Sequence, residues 1–183
     1  MSIFKFYEVD KDYVDFLKQV ENKIPNISYE RNDKFLCGIL FSINGMNYYA
    51  PISSFNQQQR TNILIKNEEG KILSSIRLSF MFPVPDHFAT VKDFKKEVPA
   101  YKRLLMEELE FCNKNAEKII SKAQYIYDSV VNGPNDLMQK NCCDFIKLEK
   151  QYLAFCSIHN IPIPAKAHRG TTQAEEDEYD MEI

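Results

Sequence analysis

The chain has 183 residues, enough for one domain or one domain plus a tail. Hydrophobic residues make up 44% and charged residues 27%, which allows a real core and excludes wholesale disorder, collagen and coiled-coil rods. The net charge of −3 hides two regions: six of the 26 acidic residues fall in 173–183 with no base among them, leaving the body 20 acids against 23 bases, a balance compatible with a polyanionic partner without requiring one.

In chain order, Asp10 reads as an N-cap. Tyr13, Phe16, Leu17 and Val20 follow at i, i+3, i+4 and i+7, an amphipathic helix that must stop before Pro25. The polar stretch NISYERND reads as a loop. FLCGILFSI (35–43) and MNYYAPI (46–52) flank Asn44-Gly45, the pair that a two-residue type I′ hairpin favours. That turn pairs residues whose numbers sum to 89. It places Phe35, Cys37, Ile39, Phe41 and Ile43 on one face with Ile52, Ala50, Tyr48 and Met46, so apolar pattern and turn agree on register. Pro51 would sit opposite Gly38 with its missing N–H turned away, which suggests an edge or strand end there.

ILIK (63–66), a turn at Glu69-Gly70, and ILSSIRLSFMF (72–82) read as two further strands, the second ended by Pro83 and Pro85. From about Ala100 the period changes. Leu105, Leu109, Cys112, Ala116, Ile119, Ala123, Ile126 and Val130 form one stripe, a long helix that Gly133 and Pro134 stop. A last helix runs from Asp144 as cap through Leu148, Tyr152 and Phe155 to His159. The order predicts a single α+β domain over 1–164: a compact antiparallel sheet or partly open barrel flanked by helices, with the long helix in the C-terminal half. The acidic segment 165–183 is expected to be a flexible tail.

Several chemistries lack their residues. Five cysteines with no CxxC spacing, Cys142 and Cys143 adjacent, suit neither a zinc site nor a disulfide framework and read as reduced, packed thiols. The three histidines are scattered. No HExxH motif or Gly-x-Ser-x-Gly elbow occurs, and five glycines leave little for a phosphate-cradling loop, so neither metal nor cofactor is expected. No run of 18 apolar residues exists and the N-terminus has no signal-peptide core, so a cytoplasmic location without membrane contact is expected.

Polar groups gather at the open end of the hairpin. Ser53 and Ser54 follow the second strand, Asn56 lies just beyond, and Lys34 precedes the first. In the 89 register Lys34 and Ser53 are diagonal neighbours on the non-core face, and Tyr29 can reach the same region from the loop before. A cation, two hydroxyls, an amide and a phenol are donors suited to an anionic phosphate. The other reading is a serine-rich turn that caps a strand end.

FLCGILFSINGMNYYAPISSFN (35–56) resembles the ToxN/AbiQ family of type III toxin–antitoxin endoribonucleases. So, in collinear order, do FKFYEVDKDYVDFLK near the start, LSFMFPVP (78–85), YKRLLMEELEFCNKNAEKIISKA (101–123) and CCDFIKLEKQY (142–152). The resemblance covers roughly residues 4–155. It implies a ToxN-like fold related to the MazF/Kid toxins, and an active-site motif of proline, aliphatic, hydroxyl residue and serine, here Pro51-Ile52-Ser53-Ser54. Ser54 is then the key hydroxyl and Ser53 its neighbour. Lys34 resembles a family lysine, and Tyr29 a family tyrosine near the RNA path. Where some relatives carry lysine two residues after the serine, this chain has Asn56.

The resemblance further implies metal-free, sequence-specific cleavage of single-stranded cellular and phage RNA to a 2′,3′-cyclic phosphate and a 5′-hydroxyl. It implies inhibition by a small RNA antitoxin of folded repeat units, with a toxin–RNA hetero-oligomer and a protein that alone is monomeric. Phe55 and Tyr49 are the candidates to stack on bases, and Lys114, Lys118 and Lys122 the candidates for a phosphate track along the long helix. The acidic tail would limit nonspecific RNA binding by repulsion. A non-catalytic RNA-binding module using the same groove, and a protein–protein interaction domain presenting the long helix, are the competing readings.

Overall fold

The computed structural model describes residues 3–28, 33–133 and 136–165; the segments expected to be a loop at 29–32, Tyr29 included, and an acidic tail from 166 lie outside the described residues. β1 (Lys5–Val9) buries Phe6 and Val9. Its five residues, charged at two of them, were too short a signal to read as a strand. α1 (Lys11–Lys18) begins as expected: the Asp10 carboxylate accepts from the backbone N–H groups of Asp12 and Tyr13 at 2.9 and 3.2 Å, and Tyr13, Val14 and Leu17 are buried.

β2 (Leu36–Gly38), β3 (Ser42–Ile43) and β4 (Met46–Ser53) make the central ribbon. Asn44 and Gly45 hold φ of 50° and 81°, as a type I′ turn demands. The 89 register holds beside the turn, where Ser42 faces Asn47 and Ile43 faces Met46. It then slips by two: Leu36 faces Pro51 and Cys37 faces Ala50. Residues 39–41 are an irregular bridge between β2 and β3, and the two extra residues turn Ile39 outward to 38% exposure instead of onto the core face. Gly38 explains the break. A Cβ there would meet Tyr49 Cδ1 at 2.3 Å, so the strand can pass over the Tyr49 ring only as glycine. Gly38→Ala is expected to cost about 1–3 kcal/mol through overpacking; an unchanged urea midpoint would show that the ring can step aside.

β5 (Asn62–Lys66) and β6 (Ile72–Arg77) pair across a turn with Gly70 at φ 80°. The segment read as one strand over 72–82 is broken by a 3₁₀ turn, Leu78–Phe80, before β7 (Phe82–Pro83). β4 therefore meets β6 at Ile52 and Ser53 and β7 at Tyr48 and Tyr49, with a gap between. Ile52 N–H donates to Phe35 across β2, so the alternate position, Pro51, faces that gap and leaves no ladder bond unmade. β8 (Ala89–Val91) adds to β1. The sheet is antiparallel throughout, in the order β5-β6-β4-β2-β1-β8 with β3 and β7 also on β4.

The long helix is two helices. α2 (Pro99–Lys114) ends at Asn115, whose φ and ψ of −111° and 20° leave the helical region and whose side-chain amide donates to the Phe111 carbonyl at 2.9 Å; α3 (Ala116–Val131) restarts at once. The amide gives that carbonyl a local partner, which is how asparagine competes with a continuing helix. The stripe survives the break: Leu105, Cys112, Ala116, Ile119, Ala123 and Ile126 are all buried. α4 (Asp136–Asn141) was not legible, while α5 (Phe145–Ile158) starts at Asp144, whose carboxylate accepts from Lys147 N–H at 3.0 Å. All five cysteines are buried and unpaired. No helix among the described residues is long and apolar enough to cross a membrane.

Candidate active site

The slipped register decides what meets at the open end of the ribbon. Continued two residues past Leu36–Pro51, it sets Lys34 against Ser53, directly opposite instead of diagonal. Asp33, Lys34, Phe35, Ile52, Ser53 and Ser54 line one wall of a cleft of about 450 Å³. β6 adds Leu73 and Ser74, and α2 closes the other side with Tyr101, Leu104 and Glu108, which share a helix face by their spacing of three and four.

The two serines are not equivalent. Ser53 is half-buried, pairs with Ser75 in the ladder, and its Oγ accepts from Phe55 N–H at 3.3 Å, so this hydroxyl shapes the turn. Ser54 is exposed at the rim, and its hydroxyl has no hydrogen bond among the described residues. Lys34 is half-buried. Burial lowers its pKa, and the nearby Arg77 guanidinium lowers it further, so the ammonium is held in a setting that favours giving up its proton. Arg77, from the end of β6, lies between two rings, 4.3 Å above Phe55 and 4.9 Å above Phe80, and burial lowers its own pKa.

Glu108 is the unexpected member. It is 3% exposed, on the apolar stripe of α2, and its pKa is pushed up to about 7, chiefly by burial and next by Glu107. The Ser74 hydroxyl works the other way, favouring the carboxylate, although it stops short of a formed hydrogen bond. The sequence signals for the missed residues were a glutamate inside the Leu105–Cys112 stripe and an arginine inside a strand of apolar and small residues.

The other candidates divide. Phe55 is half-buried beneath Arg77, and Asn56 is exposed beside it. Tyr49 is not on an open face: it is 2% exposed, with Gly38 of β2 against its ring and Tyr7 of β1 edge-on to it at 5.1 Å. It cannot stack on a base in this arrangement. The row of three lysines is interrupted. Lys114 ends α2 and pairs with Glu110 at 2.7 Å and Glu68 at 3.6 Å, away from the cleft. Lys118 and Lys122, on α3, share a separate groove with Gln58 and Asn62, and Lys122 donates to the Asn62 carbonyl at 2.7 Å. Among the described residues no cluster of three His, Cys, Asp or Glu could hold a metal ion.

Residues 5–153 match the family described as toxin ToxN, type III toxin–antitoxin system. The chain is 30% identical over 164 residues to the endoribonuclease ToxN of Pectobacterium atrosepticum, covering 82% of this chain and 93% of that protein. It is 26% identical to the endoribonuclease AbiQ of Lactococcus lactis subsp. lactis, over 79% of this chain and 85% of the relative. The fold superposes with a TM-score of 0.78 on a solved structure that concerns selective toxin inhibition by a non-coding RNA pseudoknot in bacterial type III toxin–antitoxin systems. That alignment has 24% identity and covers 83% of this chain and 97% of the other.

Proposed function

The chain belongs to the ToxN toxin family of type III toxin–antitoxin systems, and on that premise we propose that it is a metal-independent endoribonuclease. It cleaves single-stranded RNA through the substrate's own 2′-hydroxyl, leaving a 2′,3′-cyclic phosphate and a 5′-hydroxyl. The observation that carries this reading is the convergence of Lys34, Ser53 and Ser54 on one cleft. RNA brings its nucleophile, so the protein has to hold the 2′-oxygen in line with phosphorus and stabilise the charge of the phosphorane. Alignment is worth up to ~7–11 kcal/mol, and each donor aimed at the developing oxyanion roughly 3 kcal/mol.

Ser54, at the rim with its hydroxyl uncommitted, donates to a non-bridging phosphate oxygen. Ser53 fixes the turn that presents it. Lys34 gives the charge that faces the phosphodiester and the proton that the leaving 5′-oxygen needs. Arg77 and Phe55 form a stacked cation and ring beside Ser54, a platform on which a neighbouring base can lie, with Asn56 next to it for hydrogen bonding. Lys118 and Lys122 extend the phosphate path onto α3. Tyr29 retains its role near the RNA on the strength of the resemblance alone. The inhibitor is a folded RNA that fills the same cleft, as the pseudoknot inhibition described for the structural relative supports.

Incubation of single-stranded RNA with the protein in EDTA, followed by end-group analysis, tests the reaction. The expected products are 2′,3′-cyclic phosphate and 5′-hydroxyl ends at undiminished rate. Tight binding without cleavage favours a binding module, and 5′-phosphate ends refute the transesterification.

A further inference from the structure

We propose that Glu108 is the general base of the reaction, taking the proton from the attacking 2′-hydroxyl; this rests on the nuclease reading above. The geometry selects it. A transesterification needs one group to remove a proton from the 2′-oxygen and another to deliver one to the 5′-oxygen. Lys34 and Glu108 line the same cleft, one from the segment before β2 and one from α2, together with Ser53 and Ser54. A lysine that is still an ammonium ion can serve as donor, and the acceptor must then be an anion. Of the carboxylates lining the cleft, Asp33 is exposed and Glu108 is buried on the rigid face of a helix, where its position is fixed by the packing of Leu105 and Cys112 on the same stripe.

In balanced form, the 2′-oxygen forms its bond to phosphorus as its proton passes to the Glu108 carboxylate. The bond from phosphorus to the 5′-oxygen breaks as that oxygen takes a proton from Lys34. The protein ends with a protonated Glu108 and a neutral Lys34, which exchange with solvent. Few groups compete for the proton. Among the described residues, the titratable and charged groups that line the cleft with Glu108 are Asp33 and Lys34 from the segment before β2 and Tyr101 from its own helix, with Glu107 next to it in the chain and Arg77, at the end of β6, near Lys34; the polar groups that β4 and β6 give to the lining are serine hydroxyls. Burial of the carboxyl, raising its pKa to about 7, suits the task, because a base works best when its pKa lies near the working pH.

The test is the single-turnover rate of RNA cleavage between about pH 5 and 9 for the wild-type chain, Glu108→Gln and Glu108→Asp. The wild-type rate is expected to rise with pH and to bend near 7. Glu108→Gln should be slower by about 10²–10⁴-fold with the bend abolished, and Glu108→Asp should recover part of the rate together with the bend. A substrate with sulfur in place of the bridging 5′-oxygen separates base from acid, because its leaving group needs no proton. Glu108→Gln should stay slow on it, and Lys34→Ala should recover. Glu108→Gln within threefold of wild type, or slowed with the bend intact, overturns the proposal. So does recovery of Glu108→Gln on the sulfur substrate. Should Glu108→Gln fail to fold, a wild-type profile without a bend between about pH 6 and 8 has the same force. A wild-type chain that leaves RNA uncut overturns the nuclease reading itself, whereas one that cuts to cyclic phosphate while Glu108→Gln cuts equally well overturns only the assignment of the base.

Discussion

RNA cleavage by Ser54→Ala is expected to fall by about 10²–10³-fold, the usual loss when one donor to a developing oxyanion is removed. The folding midpoint should not move, because Ser54 is exposed and its hydroxyl is tied to nothing among the described residues. RNA affinity should change less than tenfold, since the bond in question strengthens only as charge grows on the phosphate. Ser53→Ala supplies the contrast. Its Oγ accepts from Phe55 N–H, so it should lower stability by about 0.5–1.5 kcal/mol and slow cleavage through a loosened turn. Quench-flow rates and urea melts on the same preparations separate the two. A Ser54→Ala chain that cleaves within a few-fold of wild type would remove the oxyanion role and leave that hydroxyl as decoration of a turn.

The largest stability effect is expected far from the cleft. Glu149 on α5 is buried, and one of its oxygens accepts from the Tyr48 hydroxyl of β4 and the Tyr127 hydroxyl of α3, both at 2.7 Å. The same two rings stack, Tyr48 on Phe41 at 4.9 Å and Tyr127 on Phe145 at 5.5 Å. One carboxyl thus fastens two helices to the central strand. Glu149→Ala strands two buried phenols and should cost about 2–5 kcal/mol, against a total of about 5–15 for a domain of this kind. Glu149→Gln keeps an acceptor and should cost much less.

The pH dependence has a definite sign. Burial raises the Glu149 pKa, outweighing the two tyrosine hydrogen bonds that pull it down. A carboxyl whose folded pKa lies above its unfolded one contributes stability that is fully present below the unfolded value and is lost as pH rises through the folded value. Glu108, raised to about 7, acts in the same direction. The wild-type urea midpoint should therefore decline from about pH 5 towards 8, and Glu149→Gln should flatten part of that decline. A midpoint that climbs over this range would mean that the hydrogen bonds, and not burial, govern the carboxyl.

Much of this molecule is local information. The hairpin turn follows from Asn44-Gly45, because few residue pairs tolerate two successive positive φ values. The starts of α1 and α5 follow from Asp10 and Asp144, whose carboxylates satisfy N–H groups of the first turn. The stripe from Leu105 to Ile126 follows from its period, even though the helix carrying it breaks at Asn115. The motif at Ser53 and Ser54, and the lysine before β2, were legible because strand ends and turns advertise themselves in residue type.

What the period could not give was decided by contacts between distant segments. The two-residue slip between β2 and β3 exists because Gly38 lies on the Tyr49 ring, and the same covering strands that bury Tyr49 remove it from the RNA-facing set. Lys114 pairs with Glu68, which lies 46 positions earlier in the chain, as well as with Glu110 one turn before it. Glu108 joined the cleft only when α2 packed across the end of the ribbon. Sequence alone determined the turn, the caps, the buried stripe and the donors at the ribbon's mouth, since each depends on neighbours a few residues away. Tertiary structure alone decided the register, the second wall of the cleft and which charges face it, since those depend on how whole elements exclude water against one another.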